Sequence, residues 1–292
     1  MRKDIKKRYA VVGLIFSGLA FLWGCLPEPL DVGGLPVVKP QIVVSSQMIP
    51  DGSLLVIITK TFGALDASDD SDPEELLNQI AVTDATVTLH GPEGSYDLLN
   101  VDNGVYATSF IPFVPGEEYQ LQIVSESLGE VTATTTVRPM ISFDDIQADL
   151  YYNGYDDTLA QITYRINDPP GENWYMLNVQ EVERVDIVEN LLNPRAFARL
   201  MDDKAFDGQT FQETFRVFPR DFIPGDTIAV TIANISKEYY DFMELRLDNR
   251  YSFVEYLSEP VNYPSNVKGG KGFLNLYVPD VRTFVLQFDQ FD

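Results

Sequence analysis

Residues 85–110 read ATVTLHGPEGSYDLLNVDNGVYATSF. Ala85–His90 alternates small polar residues with Val87 and Leu89, the two-residue period of a half-buried strand. Gly91-Pro92-Glu93-Gly94 turns the chain, and Tyr96–Asn100 forms the next strand candidate. Asp102-Asn103-Gly104 is a hairpin signal, because Asn-Gly accepts the positive φ angles a tight turn needs. Val105–Phe110 follows as a third strand. Three strands joined by such short turns leave room for no helix and predict an all-β layer.

The same texture extends both ways. Upstream, Gln41–Ile49 and Leu54–Thr61 flank the turn Pro50-Asp51-Gly52-Ser53. Downstream, Tyr119–Val124 and Glu130–Val137 close the series before Pro139. Seven short strands predict an immunoglobulin-like or transthyretin-like β-sandwich over residues 41–139. It is interrupted by the acidic loop Gly63–Asn78, with one helical turn expected from Pro73.

After Pro139 the strand candidates lengthen: Thr158–Ile166, Trp174–Val182, Phe211–Phe218, Ile228–Ile235, Gly272–Val278 and Thr283–Phe288. Two short helices are expected. Asn193-Pro194 places a cap before a proline at the first helical position and opens one to about Met201. Ser236 caps a second to about Asn249, with Tyr239, Tyr240, Met243 and Leu247 on one face. Residues 140–292 thus read as a second β-rich domain, meeting the first near Arg138–Met140. The expected fold class is mostly β.

Charge and composition narrow the function. The chain has 292 residues, 21 Lys+Arg against 44 Asp+Glu, and a formal charge of −23. Such an acidic protein repels phosphate backbones, so nucleic acid is excluded as a partner. One Cys excludes an internal disulfide framework and thiolate clusters, and one His excludes sites built from two imidazoles of this chain.

The basic charge is concentrated at the N-terminus, in Arg2, Lys3, Lys6, Lys7 and Arg8. The uncharged run from Ala10 to Trp23 is shorter than the roughly 20 residues of a membrane span. It has the form of a signal-peptide core behind a basic region. The run ends in Leu22-Trp23-Gly24-Cys25, which resembles the bacterial lipobox, with Gly24 as the small residue before the cleavage point and the sole Cys at the lipidation position. Residues 1–24 read as a lipoprotein signal peptide, and the expected modification is a covalent lipid on Cys25. The signal holds five of the 21 basic residues and one of the 44 acids, so the remainder carries 16 against 43, a charge of −27. Residues 25–40, with LPEPLDVGGLPVVKP after the Cys, form a Pro/Gly-rich tether. Extended, it reaches at most roughly 50 Å, which keeps the body near the membrane. Glu28 and Asp31 resemble the acidic surface-export signal of Bacteroidetes lipoproteins.

Several fragments together resemble one family. They are Asp84-Ala85-Thr86-Val87-Thr88-Leu89, Gly104-Val105-Tyr106, Gly116 to Val124, and Thr132 to Val137 with Pro139. In the second half they are Asp168-Pro169-Pro170-Gly171-Glu172-Asn173-Trp174-Tyr175, Ile235 to Asp241, and Ser265-Asn266-Val267-Lys268-Gly269-Gly270-Lys271-Gly272-Phe273. In this order the chain resembles domain-of-unknown-function family 4249, lipoproteins of Bacteroidetes. The resemblance carries no catalytic residues. It implies an outer-membrane location and an accessory role beside a TonB-dependent transporter.

His90, at a strand end, reads as a turn histidine, since a catalytic base needs a nucleophile and an orienting acid beside it. In the acidic loop, Asp66, Ser68, Asp70 and Asp72 alternate like the first ligands of a calcium loop, but Leu77 stands where a bidentate Glu is required. A solvated acidic loop is therefore favoured, with calcium as the alternative and no other metal or cofactor expected. Lys268-Gly269-Gly270-Lys271-Gly272 lacks the spacing of a phosphate loop and precedes a strand, so it reads as a glycine turn or bulge. Tyr151, Tyr152, Tyr155, Trp174 and Tyr175 form a candidate glycan-contact set. Thr158 and Thr227 each follow an Asp in a short motif resembling Bacteroidetes O-glycosylation sites. The leading expectation is a non-enzymatic outer-membrane lipoprotein, exposed at the cell surface or periplasmic face, that binds beside a TonB-dependent transporter. A stand-alone glycan- or peptide-binding lipoprotein is the alternative, and a hydrolase ranks last.

Overall fold

Alternating burial, turn by turn, builds the first half. A computed structural model describes residues 39–49, 53–61, 78–152, 154, 158–182, 197–217, 222–249 and 263–288. The first strands are β1 (Ile42–Met48), β2 (Leu54–Lys60), β3 (Ala85–Gly91), β4 (Gly94–Asp102), β5 (Val105–Thr108), β6 (Glu118–Ser125) and β7 (Gly129–Thr136). All seven expected strands are present. The Asn103-Gly104 turn joins β4 to β5, with Gly104 at φ 72°.

β4 is the corner of this layer. Its first half, to Leu98, pairs with β3, whereas Leu99–Asp102 pairs with β5 across a bulge in which Val101 is the extra residue. Bulges turn a strand and add twist. Side chains from both sides of the corner meet in one core: Val44, Val56, Ile58 and Tyr106 from one, Val87, Leu89, Leu121, Ile123 and Val131 from the other. Two buried tyrosines seal it with satisfied hydroxyls. Tyr106 donates to the Val82 carbonyl at 3.0 Å, and Tyr119 donates to the Pro112 carbonyl at 3.1 Å.

The opposite edge is closed from far along the sequence. β14 (Val267–Lys268) pairs with β7, and β15 (Lys271–Phe273) pairs in parallel with β1. The nine-stranded order is β14-β7-β6-β3-β4-β5-β2-β1-β15. Lys268-Gly269-Gly270-Lys271-Gly272 is therefore a strap between two strands, as its position before a strand implied. Gly272 lies at φ 94°, and a Cβ there would sit 1.9 Å from the Val44 carbonyl oxygen. Glycine is required by both the angle and the approach. Asn266 holds the strap: its Nδ2 donates to the carbonyls of Thr134 and Leu274, and its Oδ1 accepts from Leu274 N–H. Ser46 Oγ adds a buried tie, accepting from Asn275 N–H at 2.7 Å and donating to the Asn275 carbonyl at 3.1 Å.

The second core lies between two sheets. β8 (Phe143–Tyr152), β9 (Thr158–Asn167) and β12 (Thr210–Arg216) form one, in the order β12-β9-β8. β10 (Trp174–Glu181), β11 (Phe197–Asp202), β13 (Thr227–Ile235) and β16 (Asp280–Val285) form the other, in the order β11-β10-β13-β16. Ile162, Tyr164 and Ile166 of β9 meet Tyr175, Leu177, Val230 and Ile232 of the opposing sheet. The alternate residues Met176, Ala233 and Ile235 face the first core instead.

Helix α1 (Lys237–Asn249) starts where Ser236 Oγ accepts from Tyr239 N–H at 3.2 Å, the capping that the sequence implied. It buries Tyr239 and Met243. Tyr239 and Phe242 both pack on Phe273 of the strap, at centroid distances of 5.4 and 5.3 Å. The two cores lie on either side of the expected junction at 138–140, yet the strap and Tyr277 belong to the first core. Residues Pro40–Asp292 cluster as one compact unit.

Three expectations need correction. The helix expected from Pro194 to Met201 is strand from Phe197 on, because β11 pairs with β10 over Val179↔Phe197 to Trp174↔Asp202. Phe197 stacks on Phe215 at 5.3 Å, a contact that outweighs helix propensity. The strand expected over Gly272–Val278 ends at Phe273, since Asn275 gives its N–H to a side chain rather than a ladder. The last strand begins earlier than expected, at Asp280, where Asp280 Oδ2 accepts from Phe143 N–H at 2.9 Å. β8 was not foreseen. Its acids Asp144, Asp145 and Asp149 obscure the alternation, although Asp144 is paired with Arg165 of β9. Among the described residues no helix is long and apolar enough to cross a membrane.

Candidate functional site: a buried three-carboxylate cluster

Two loops meet at one end of the second core. The first, Asp168 to Asn173, carries the chain from β9 to β10. The second, Asp203 to Gln209, carries it from β11 to β12. Each therefore connects one sheet to the other. Asp203 N–H donates to the Asn173 carbonyl, and Asp168 N–H donates to the Gln209 carbonyl at 3.0 Å, so the loops are laced together.

Three acids point into the junction. One carboxylate oxygen from each of Asp168, Asp203 and Asp207 lies within 4.8 Å of the others. Asp168 and Asp203 are only 6% and 4% exposed, whereas Asp207 reaches solvent. Asp168 accepts from the Tyr175 hydroxyl and, at 2.7 Å, from Gly208 N–H. Asp203 Oδ2 accepts from Asn173 N–H at 2.7 Å and from Asn173 Nδ2 at 3.2 Å. Asp207 Oδ1 accepts from Gly171 N–H at 2.9 Å. Gly171 and Gly208 adopt φ of 107° and 67°, which lets their amides turn toward the acids.

The electrostatics of this site are one-sided. Charges on Asp168 and Asp203 at this separation repel by about 3 kcal/mol even at an effective dielectric of 20. No described ion pair includes any of the three acids. The nearby cation, Arg138, donates Nη2 to the Glu172 carbonyl at 2.8 Å and lies over the Trp174 ring. Burial, and then the hydrogen bond to Asp168, hold the Tyr175 hydroxyl well above its ordinary titration range, so it remains a donor.

Behind the acids sits a polar second layer. Asn173, 6% exposed, accepts from Asn234 Nδ2 at 2.9 Å. Asn234 is 2% exposed, lies directly opposite Tyr175 in the β10–β13 register, and has an Oδ1 with no partner. The sequence reading passed over this cluster. The signal available was Asp-x-x-Gly at 168–171 and Asp-x-x-x-Asp-Gly at 203–208, two acid-glycine loops that begin thirty-five residues apart.

The sequence-derived candidates are scattered. Cys25 with Leu22, Trp23 and Gly24, the loop acids Asp66, Asp70 and Asp72, and Tyr155 lie outside the described residues. Tyr151 and Tyr152 end β8 beside Leu159 and Thr158, while Trp174 and Tyr175 begin β10 at the other end of β9. A ten-residue strand spans about 30 Å, so these four do not form one platform. Tyr175 is fully buried, Tyr151 lies under Arg216 at 3.5 Å, and Tyr152 is exposed. Thr158 and Thr227 are half-buried at the first positions of β9 and β13. His90 is half-buried between β4 and β6, its ring nitrogens 2.8 Å from Ser95 Oγ and 3.3 Å from Gln122 Oε1. Neither partner is an acid.

A second feature lies on the outside of the first layer. Leu55, Ile57 and Val105 form a small buried cluster separate from the main core. Beside it on β4, Leu99 and Val101 are exposed, and Phe110, two residues past β5, is 94% exposed at φ 63°. A bulky residue held in the left-handed region and in water is unusual on both counts.

These features define a mostly β, sandwich-type protein with two cores, a helix packed on the first of them and an acid-lined loop junction. The chain belongs to the family described as Domain of unknown function (DUF4249), which matches residues 28–282. Among solved structures, a two-domain fibronectin type-III segment from chicken tenascin is similar at 12% identity and a TM-score of 0.22, over 85% of this chain and 99% of that one. No curated protein matches the chain.

Proposed function

We propose that the protein is an outer-membrane lipoprotein of Bacteroidetes type, anchored through lipid on Cys25, that acts without catalysis as an interaction accessory to a TonB-dependent transporter. The observation that carries this reading is the apolar outer face of the first layer. Leu99 and Val101 on β4 stand exposed, as does Phe110 just past β5, while Leu55, Ile57 and Val105 of the same sheet are buried. Exposed apolar patches of this kind mark contact surfaces more often than chemistry. The anchor and tether inferred from residues 1–40 hold such a face within reach of a membrane partner. The acidic charge favours basic loops on that partner, so association weakens with salt.

The test is affinity purification from mild detergent at low and high salt, with quantitative mass spectrometry. A transporter barrel is recovered with the wild type, less at high salt, and less with Leu99→Asp or Phe110→Asp. Recovery of the lipoprotein alone at both salt levels, where a known barrel–lipoprotein pair stays intact, sinks the proposal. A stand-alone glycan- or peptide-binding role is the alternative. Tyr152, 54% exposed beside Tyr151, is the observation on its side, and ligand depletion by the purified protein separates the two.

A further inference from the structure

We propose that Asp168, Asp203 and Asp207 hold a calcium ion that staples together the two sheets of the second core. An ion bound at about 2.4 Å from each ligand needs oxygens no more than about 4.8 Å apart. The three carboxylates meet that limit. Every donor in the cluster is a hard oxygen, and the single His lies in the first layer, so the site suits no soft metal. Magnesium requires near-ideal octahedral geometry, whereas calcium accepts the irregular set that two loops provide.

Charge and satisfaction point the same way. Two of the acids are buried, and no described cation pairs with any of the three. Asn234 is the independent observation. Its side chain projects from the same sheet face as Tyr175, and its amide nitrogen reaches into the cluster through Asn173, yet its buried Oδ1 has no donor. A carbonyl oxygen left bare in a protein interior is rare. Asn234 stands one hydrogen bond behind Asn173, which itself donates to Asp203, so the bare oxygen belongs to the layer that backs two buried carboxylates with no described cation partner.

The ion's role follows from position. Asp168 belongs to the β9–β10 loop, while Asp203 and Asp207 belong to the β11–β12 loop. Without a cation the two loops carry like charges toward each other. With one they are tied, and the sheets they connect are tied with them.

The full chain, purified in mild detergent and stripped with a chelator, is titrated with calcium chloride from about 10 μM to 10 mM. Binding is read by equilibrium dialysis with radiolabelled calcium, and stability by thermal unfolding. One ion binds per chain, and Tm rises by about 3 °C or more at ten times the dissociation constant. Asp207→Asn, at an exposed position, keeps the oxygen that Gly171 donates to. It binds about tenfold or more weakly, while its calcium-free Tm equals or exceeds that of the wild type, because one repelling charge is gone. A paired Asp70→Asn and Asp72→Asn variant binds as the wild type does. Calcium without effect on Tm and without retention, undiminished binding by Asp207→Asn, or loss of binding in the loop variant overturns the proposal. Magnesium giving the same shift at equal concentration overturns the choice of ion.

Discussion

Replacing Gly272 by Ala tests whether the strap closes the first layer as described. Two penalties add. A non-glycine residue at φ 94° costs about 1–2 kcal/mol. The added methyl also meets Val44 oxygen at 1.9 Å and Val44 nitrogen at 2.7 Å. Both are backbone atoms of a paired strand, so no rotamer change relieves the clash, and β15 must withdraw from β1. Its register of Val43↔Lys271, Val44↔Gly272 and Ser45↔Phe273 is then lost. Two ladder hydrogen bonds at about 1 kcal/mol each bring the total to about 3–4 kcal/mol, a large share of a typical stability of about 5–15 kcal/mol.

Gly129 is the control. It sits at φ 90° with nothing within 4 Å of an added Cβ, so Gly129→Ala carries the angular penalty alone. Urea unfolding followed by far-UV circular dichroism compares the two. At a slope of about 2–3 kcal/mol per molar, the midpoint of Gly272→Ala falls about 1 M below that of Gly129→Ala. Equal midpoints would refute the reasoning, because close approach would then contribute nothing.

The other expectations are briefer. Cys25→Ser releases the protein from the membrane fraction, and sedimentation with membranes after a high-salt wash would show that the anchor lies elsewhere. Burial holds the hydroxyls of Tyr164, Tyr175 and Tyr277 above their ordinary pKa. Folded tyrosines therefore keep protons that the unfolded chain loses above about pH 10, and stability falls as pH rises past that point. Ultraviolet titration should show these rings ionising only on unfolding; smooth ionisation of every tyrosine near pH 10 in folded protein contradicts it. Ser46→Ala strands the Asn275 amide and costs about 1–3 kcal/mol in urea unfolding; a change below 0.5 kcal/mol, roughly a neutral surface substitution, speaks against the buried tie. His90→Ala leaves function intact and costs under about 1 kcal/mol; loss of a cellular phenotype at normal protein level reopens the enzymatic reading.

Legibility followed locality. The first seven strands were readable because each turn carries its own chemistry, as Asn103-Gly104 does. The cap at Ser236 was readable for the same reason. β11 was not, because Phe197 becomes strand through partners on β10 and β12 that lie elsewhere in the chain. β8 was hidden by acids whose neutralisation, Arg165 for Asp144, is a tertiary fact. The acid cluster failed on the same ground: Asp168 and Asp203 are thirty-five positions apart in sequence, and nothing in either loop announces the other. The glycines at 269–272 were recognised as a turn, but the strand they needed to approach lies more than two hundred residues upstream.

That distance has a consequence for synthesis. A chain made from its N-terminus presents β1 and β7 long before residues 267–273 exist. The Ser46 contact with the Phe273 carbonyl spans 227 positions. Until residues 267–277 have been made, the first layer has two raw strand edges and lacks Phe273 and Tyr277 from its interior. Closure must therefore be a late event, slowed by the long loop that has to be drawn shut. A truncation at residue 139, which removes no strand of β1 to β7, leaves an edge-exposed intermediate prone to pairing with its own kind. Residues 42–278 are the smallest span that carries every strand and core side chain of the first layer.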